Sequence, residues 1–202
     1  MRPKRKRAPA RTLRRRPCAR GAGAPWSGRR LSQSFIELHL SAPSPVRVGE
    51  AVDIEVALRN ASARPVWIVG VVPGSEGGLR LPRYLPRVIA DGTVVAAPAR
   101  SRAARLPPLR LRDFRLLASG ESVDPTQGGV EHGWTRLQTF LSFRPRRPGR
   151  YVFVLTLSMQ SDSPEQWLTE VDLADDRDEL LARIGHVPRL VAESNRLEVK
   201  VA

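Results

Sequence analysis

The sequence predicts an all-β chain folded as an antiparallel β-sandwich. Two distant segments carry the prediction: Val48-Gly49-Glu50 leading into residues 52–60, and Arg147-Pro148-Gly149-Arg150 leading into residues 151–157. In each, a turn signal precedes a run with apolar side chains at every second position, the period of a half-buried strand. The third observation is where the charge lies. The chain of 202 residues has a formal net charge of +14, yet residues 1–30 hold twelve of its 34 Lys and Arg and none of its 20 acids. The other 172 residues carry 22 bases against 20 acids, so the folded part is close to neutral. Basicity is a property of the tail.

The chain divides accordingly. Residues 1–32 are rich in Arg, Pro, Ala and Gly and poor in large apolar groups. Such a stretch cannot bury enough surface to offset its ordering entropy, and it is expected to be a disordered basic tail. Residues 33–202 form the sandwich domain. Its first strand is Phe35-Ile36-Glu37-Leu38-His39-Leu40, with Ile36, Leu38 and Leu40 inward, and Pro43 and Pro45 ending it. The second puts Val52, Ile54, Val56 and Leu58 on one face. After the loop from Asn60 to Pro65, Val66-Trp67-Ile68-Val69-Gly70-Val71-Val72 reads as a buried strand.

Prolines and paired glycines break residues 73–112 repeatedly. Within them Asp91-Gly92 between two β-branched runs is a hairpin signal. Strands follow at Asp113-Phe114-Arg115-Leu116-Leu117, at Thr139-Phe140-Leu141-Ser142-Phe143, at residues 151–159 and at Arg196-Leu197-Glu198-Val199-Lys200-Val201. Between the last two lies an insertion, 160–194, far longer than a hairpin needs. It holds one helix, capped by Asp175 or Asp176, with Leu180, Leu181 and Ile184 as its apolar stripe and Gly185 at its end.

With these strands in place the chain resembles bacterial immunoglobulin-like and fibronectin-type-III-like modules. The residues that carry the resemblance are Val48-Gly49-Glu50-Ala51-Val52 leading to Asn60, Pro148-Gly149-Arg150-Tyr151, and the closing Ser194-Asn195-Arg196-Leu197-Glu198-Val199. The resemblance implies an immunoglobulin-like sandwich with the helical insertion between its F and G strands. It also implies Trp67 as the buried C-strand tryptophan, Tyr151 as a tyrosine-corner residue, and a role in adhesion, ligand display or structure. A fold of this kind does not select among those roles.

Catalytic chemistry has no motif to stand on. His39, His132 and His186 have no His or Cys at metal-ligand spacing. His132 with Glu131 and Trp134 comes nearest to a site, and surface histidines are the plainer reading. No nucleophile elbow, phosphate-binding glycine loop or dinucleotide fingerprint occurs. The acids Asp172, Asp175, Asp176, Asp178 and Glu179 do not follow a calcium-loop pattern and suit a capped, solvated helix. Neither catalytic residues nor a cofactor or metal site is expected, and the chain is expected not to be an enzyme.

The expected function is non-catalytic binding of a protein or surface ligand. Asn60 and Arg64 of the loop after the second strand, and Trp167 and Leu168 of the insertion, should share one end of the sandwich as its interaction surface. The competing expectation is that Trp167 folds back into a small core of its own. The alternative function is weak, sequence-independent binding of nucleic acid or an anionic surface by Lys4, Arg5, Lys6, Arg7, Arg14, Arg15 and Arg16, through counterion release. Residues 162–179 carry a net −7 and 98–112 a net +5, so the tail or the Arg-rich loop is expected to dock loosely on the acidic insertion. A single cysteine, Cys18, precludes an internal disulfide. No apolar run is long enough to span a membrane. No signal peptide is visible, which points to the cytoplasm; a misassigned N-terminus would instead place the product outside it.

Overall fold

The computed structural model describes residues 35–43, 45–99, 106–128, 131–168 and 176–202. They fold mostly into β-strands in antiparallel sheets, with two helices. The longest strand is β8 (Gly149–Ser158), whose Tyr151, Phe153, Leu155 and Leu157 alternate into the core. In order along the chain the other strands are β1 (Ile36–Ser41), β2 (Glu55–Asn60), β3 (Val66–Val69), β4 (Arg83–Ala90), β5 (Thr93–Ala96), β6 (Phe114–Leu117), β7 (Ser122–Val123), β9 (Val191–Glu193) and β10 (Leu197–Val201). The helices are α1 (Gln138–Ser142) and α2 (Arg177–Gly185).

One sheet runs β1-β2-β7 and another β10-β8-β4-β5, with β9 also on β8; β3 and β6 pair by themselves. A single parallel bridge joins Val46 to Val201. All three sheets feed one hydrophobic cluster. In β1 and β2 the inward set is Ile36, Leu38, Leu40, Val56 and Leu58, as the alternation predicts. The Asp91-Gly92 hairpin forms with both residues at positive φ, 49° and 75°, the requirement of a two-residue turn between twisted strands.

Prolines did not exclude a strand from residues 82–90. Pro86 pairs with Leu155 of β8, while β5 meets β4 only from Val88 to Ala90. A proline is tolerated where no further strand needs its N–H. The strand expected at Thr139-Phe140-Leu141-Ser142-Phe143 is instead the short helix α1. Its composition favours strand, but the Glu76 carboxylate accepts the N–H groups of Gln138 and Thr139, both at 2.6 Å. A cap supplied from a distant loop overrides local propensity.

The long strand expected at 66–72 ends at Val69, and Trp67 is not the core tryptophan. It is half-buried beneath Arg183 of α2, whose guanidinium lies 4.2 Å from the ring centre. The strand beside β8 is β4, and its buried aromatic residue is Tyr84, which donates to the Val69 carbonyl at 2.8 Å.

Asn60 is fully buried, not part of a binding surface. Its amide donates to the carbonyls of Arg64, Leu117 and Ala118, and its oxygen accepts from the N–H and hydroxyl of Ser62. The residue ties the end of β2 to the end of β6. Asn60→Ala removes the amide donor from the Leu117 and Ala118 carbonyls and should cost about 2 kcal/mol of unfolding free energy. Urea denaturation of the two proteins checks this, and equal midpoints would refute the tie.

Candidate functional site

The described residues form a groove of about 1430 Å³. It lies over the core-facing side of the second sheet, at the end where β4 turns into β5 and β8 begins. Three walls meet there: the 73–79 loop, the β5 strand with its extension to Ala99, and the α1 helix with the turn that follows it. The turn is the proline-punctuated segment from Arg144 to Gly149; with the start of β8 it brings Arg144, Arg146, Arg147 and Arg150 to the rim. Leu79, Val95, Leu106 and Phe143 supply apolar surface.

The four arginines are not equivalent. Arg144 donates to the carbonyls of Leu141 and Phe143 at 2.7 and 2.8 Å, so it is fixed as a cap of α1. Arg150 pairs with Glu198 at 3.1 Å on an exposed face. The guanidinium groups of Arg146 and Arg147 have no acidic partner among the described residues. The Arg147 carbonyl accepts the Tyr151 hydroxyl at 3.0 Å, which pins the turn to β8. Phe143 packs edge-on against Tyr151 and Phe153, so the groove floor is continuous with the core. Two acids also line it. Glu76 is occupied in capping α1, and Asp91 sits in the hairpin turn. The groove thus presents free cationic groups beside an apolar floor. That combination suits a ligand with carboxylates and apolar groups.

The expected interaction end is at the other end of β8. The ten residues of β8 separate the two ends by about 30 Å. There Trp167 is 2% exposed, in the same cluster as Leu180, Ile184 and Val187. Its indole N–H donates to the Ser161 hydroxyl at 3.2 Å. Trp167 is therefore core, because α2 covers it. Leu168 is half-buried against the same cluster. Of the four residues expected to form the surface, only Arg64 is exposed.

His132 has a structural role. Its Nδ1 donates to the Arg112 carbonyl at 2.6 Å, and its ring stacks on Trp134 at 4.6 Å. The Trp134 indole N–H donates to the Asp113 carbonyl, and Asp113 accepts the N–H groups of Arg110 and Gly133. Together these contacts fasten the 110–113 turn. Near it, Arg110 and Arg112 line one small cavity with Asp176 and Leu180. The described part of the Arg-rich segment thus lies beside the start of α2. Arg100, Arg102 and Arg105, and the tail residues Lys4, Arg5, Lys6, Arg7, Arg14, Arg15 and Arg16, lie outside the described residues.

Shifted acidities accompany structure rather than chemistry. The Ala118 N–H and the Arg115 guanidinium hold the Glu121 carboxyl below its usual range. The N–H of Glu165 itself and the Ser163 hydroxyl do the same for Glu165. Burial pushes the Tyr84 phenol far up. Among the described residues no group of three or more His, Cys, Asp or Glu could hold a metal ion, and no helix is long and apolar enough to cross a membrane.

The groove escaped the sequence reading because its walls come from three segments tens of residues apart. The one legible signal was the run Arg144-Pro145-Arg146-Arg147, which reads equally well as a solvated turn. No family model, curated protein or solved structure matches the chain.

Proposed function

We propose that the chain is a non-catalytic binding module on an immunoglobulin-like β-sandwich, and that its arginine-rimmed groove takes an acidic, partly apolar ligand. Strand order supports the sandwich reading: β8 lies between β10 and β4, as an F strand lies between G and C, and β1-β2-β7 forms the second layer. The Tyr151 hydroxyl bonding back to Arg147 is the contact of a tyrosine corner. The observation that carries the function is the pair of guanidinium groups, Arg146 and Arg147, without an acidic partner among the described residues, at the rim of a concavity with an apolar floor.

The test is fluorescence anisotropy of the full chain with a labelled peptide alternating Glu and Val, and with its Gln counterpart. The acidic peptide should bind, more weakly at high salt because the groups are exposed. Arg146→Glu/Arg147→Glu should weaken it about tenfold, the sum of two exposed pairs of somewhat under 1 kcal/mol each. Equal binding of the two peptides, or no effect of charge reversal, would refute the groove reading.

A further inference from the structure

The sheet beneath the groove has an open side. β5 is its outermost strand and, among the described residues, pairs only with β4. Its residues Thr93-Val94-Val95-Ala96 include no charge and no proline. Natural edge strands usually carry one or the other, since an open row of N–H and C=O groups recruits another strand. Val94 and Val95 are moreover 49% and 48% exposed. Beyond β5 the chain continues along the groove through Ala97, Pro98 and Ala99, and Thr93, Val95 and Ala96 line it beside the four arginines. An unguarded edge and a cationic wall therefore share one concavity.

We infer that the ligand is an extended acidic peptide that joins the sheet as an added strand on β5. Its backbone bonds the free edge of residues 93–96. Alternate side chains, the acidic ones, turn inward over the groove toward Arg146 and Arg147, because successive side chains of a strand point to opposite faces. The arginines choose this occupant over a second copy of the chain. Two copies joined edge to edge at β5 would bring two arginine-lined walls close together, and like charges there repel. Nucleic acid fits less well, since of the groove's two rings Tyr151 is buried and Phe143 is half-buried against it, a poor stacking platform for bases.

This inference rests on the groove reading, and one experiment separates the two. The Glu/Val peptide is made with N-methyl groups on its odd residues, and again on its even residues, leaving the side chains unchanged. In a strand only one of these sets faces β5. One N-methylated peptide should lose about tenfold in affinity for the full chain, and the other should bind like the parent. Loss with both sets, or with neither, overturns strand addition. If Arg146→Glu/Arg147→Glu still weakens the parent peptide in that case, the groove reading survives alone. A parent peptide that does not bind overturns both.

Discussion

Replacing Gly70 by alanine should destabilise the domain by about 3 kcal/mol or more, the upper end of overpacking costs. A Cβ there would lie 2.2 Å from Cδ2 of Trp134 and 2.6 Å from the Pro125 carbonyl oxygen. Neither neighbour can retreat. The indole is held by its bond to Asp113 and by the stacked His132. The adjacent backbone is pinned on both sides, Val71 N–H to Pro125 at 2.8 Å and Thr135 N–H to Val71 at 2.7 Å. For a domain of this size the loss corresponds to a fall in Tm on the order of 10 °C. Gly185→Ala is the control, since nothing lies within 4 Å of a Cβ built there. Thermal unfolding of the two variants side by side decides the matter. If Gly70→Ala melts with Gly185→Ala, the crowding at Trp134 has no energetic weight.

Trp167→Ala should cost about 3–5 kcal/mol, the range for removing a large buried aromatic. The turn Pro164–Trp167 packs against α2, whose Leu180 and Ile184 are buried in the same cluster as this side chain, so its loss should loosen the insertion first. Trp167→Phe keeps much of the volume, loses the bond to Ser161, and should fall between the alanine variant and the parent. Peptide binding in the groove should be unchanged below the melting point, because the groove lies at the far end of β8. A Trp167→Ala protein of parental stability would return this tryptophan to the surface role that its sequence position suggests.

Strands that bury one face were legible because their sequence states the period. β1, β2, β8 and β10 appear where Ile36, Leu38, Val56, Leu58, Phe153, Leu155, Val199 and Val201 alternate with polar residues. Helix α2 was legible from its acidic first turn and from Leu180 and Ile184. What was not legible depends on partners far along the chain. Thr139-Phe140-Leu141 reads as strand, and only the Glu76 carboxylate, 63 residues from Thr139, makes it a helix. Pro82 and Pro86 read as breakers, and only the short reach of β5 admits a strand there. The resemblance put Trp67 in the core, and the structure buries Trp134 and Trp167 instead. The loop after β2 gave no reason to bury Trp67, whereas residues 110–113 and α2 close over Trp134 and Trp167. The interaction surface was expected where the loop after β2 and the insertion emerge at one end of such a sandwich; the concavity formed where a loop, a strand and a helix from distant segments meet.

Pro86 has a further consequence, in the arithmetic of polymerisation. Along the outer side of β4 and β5, Pro86 has no N–H to donate and the Tyr84 N–H already bonds the Ser75 carbonyl, so among the described residues the stretch 93–96 stands ready to pair. On the opposite side of the same sheet, β10 carries Glu198 and Lys200, and Val46 already bridges its Val201 end. Chain growth by edge pairing needs two reactive edges per unit, as a linear polymer needs bifunctional monomers. This sheet has one edge poised to react and one that is charged and partly capped. In the strand-addition proposal the chain can therefore stand at the end of a paired sheet, but cannot link two partners through this sheet.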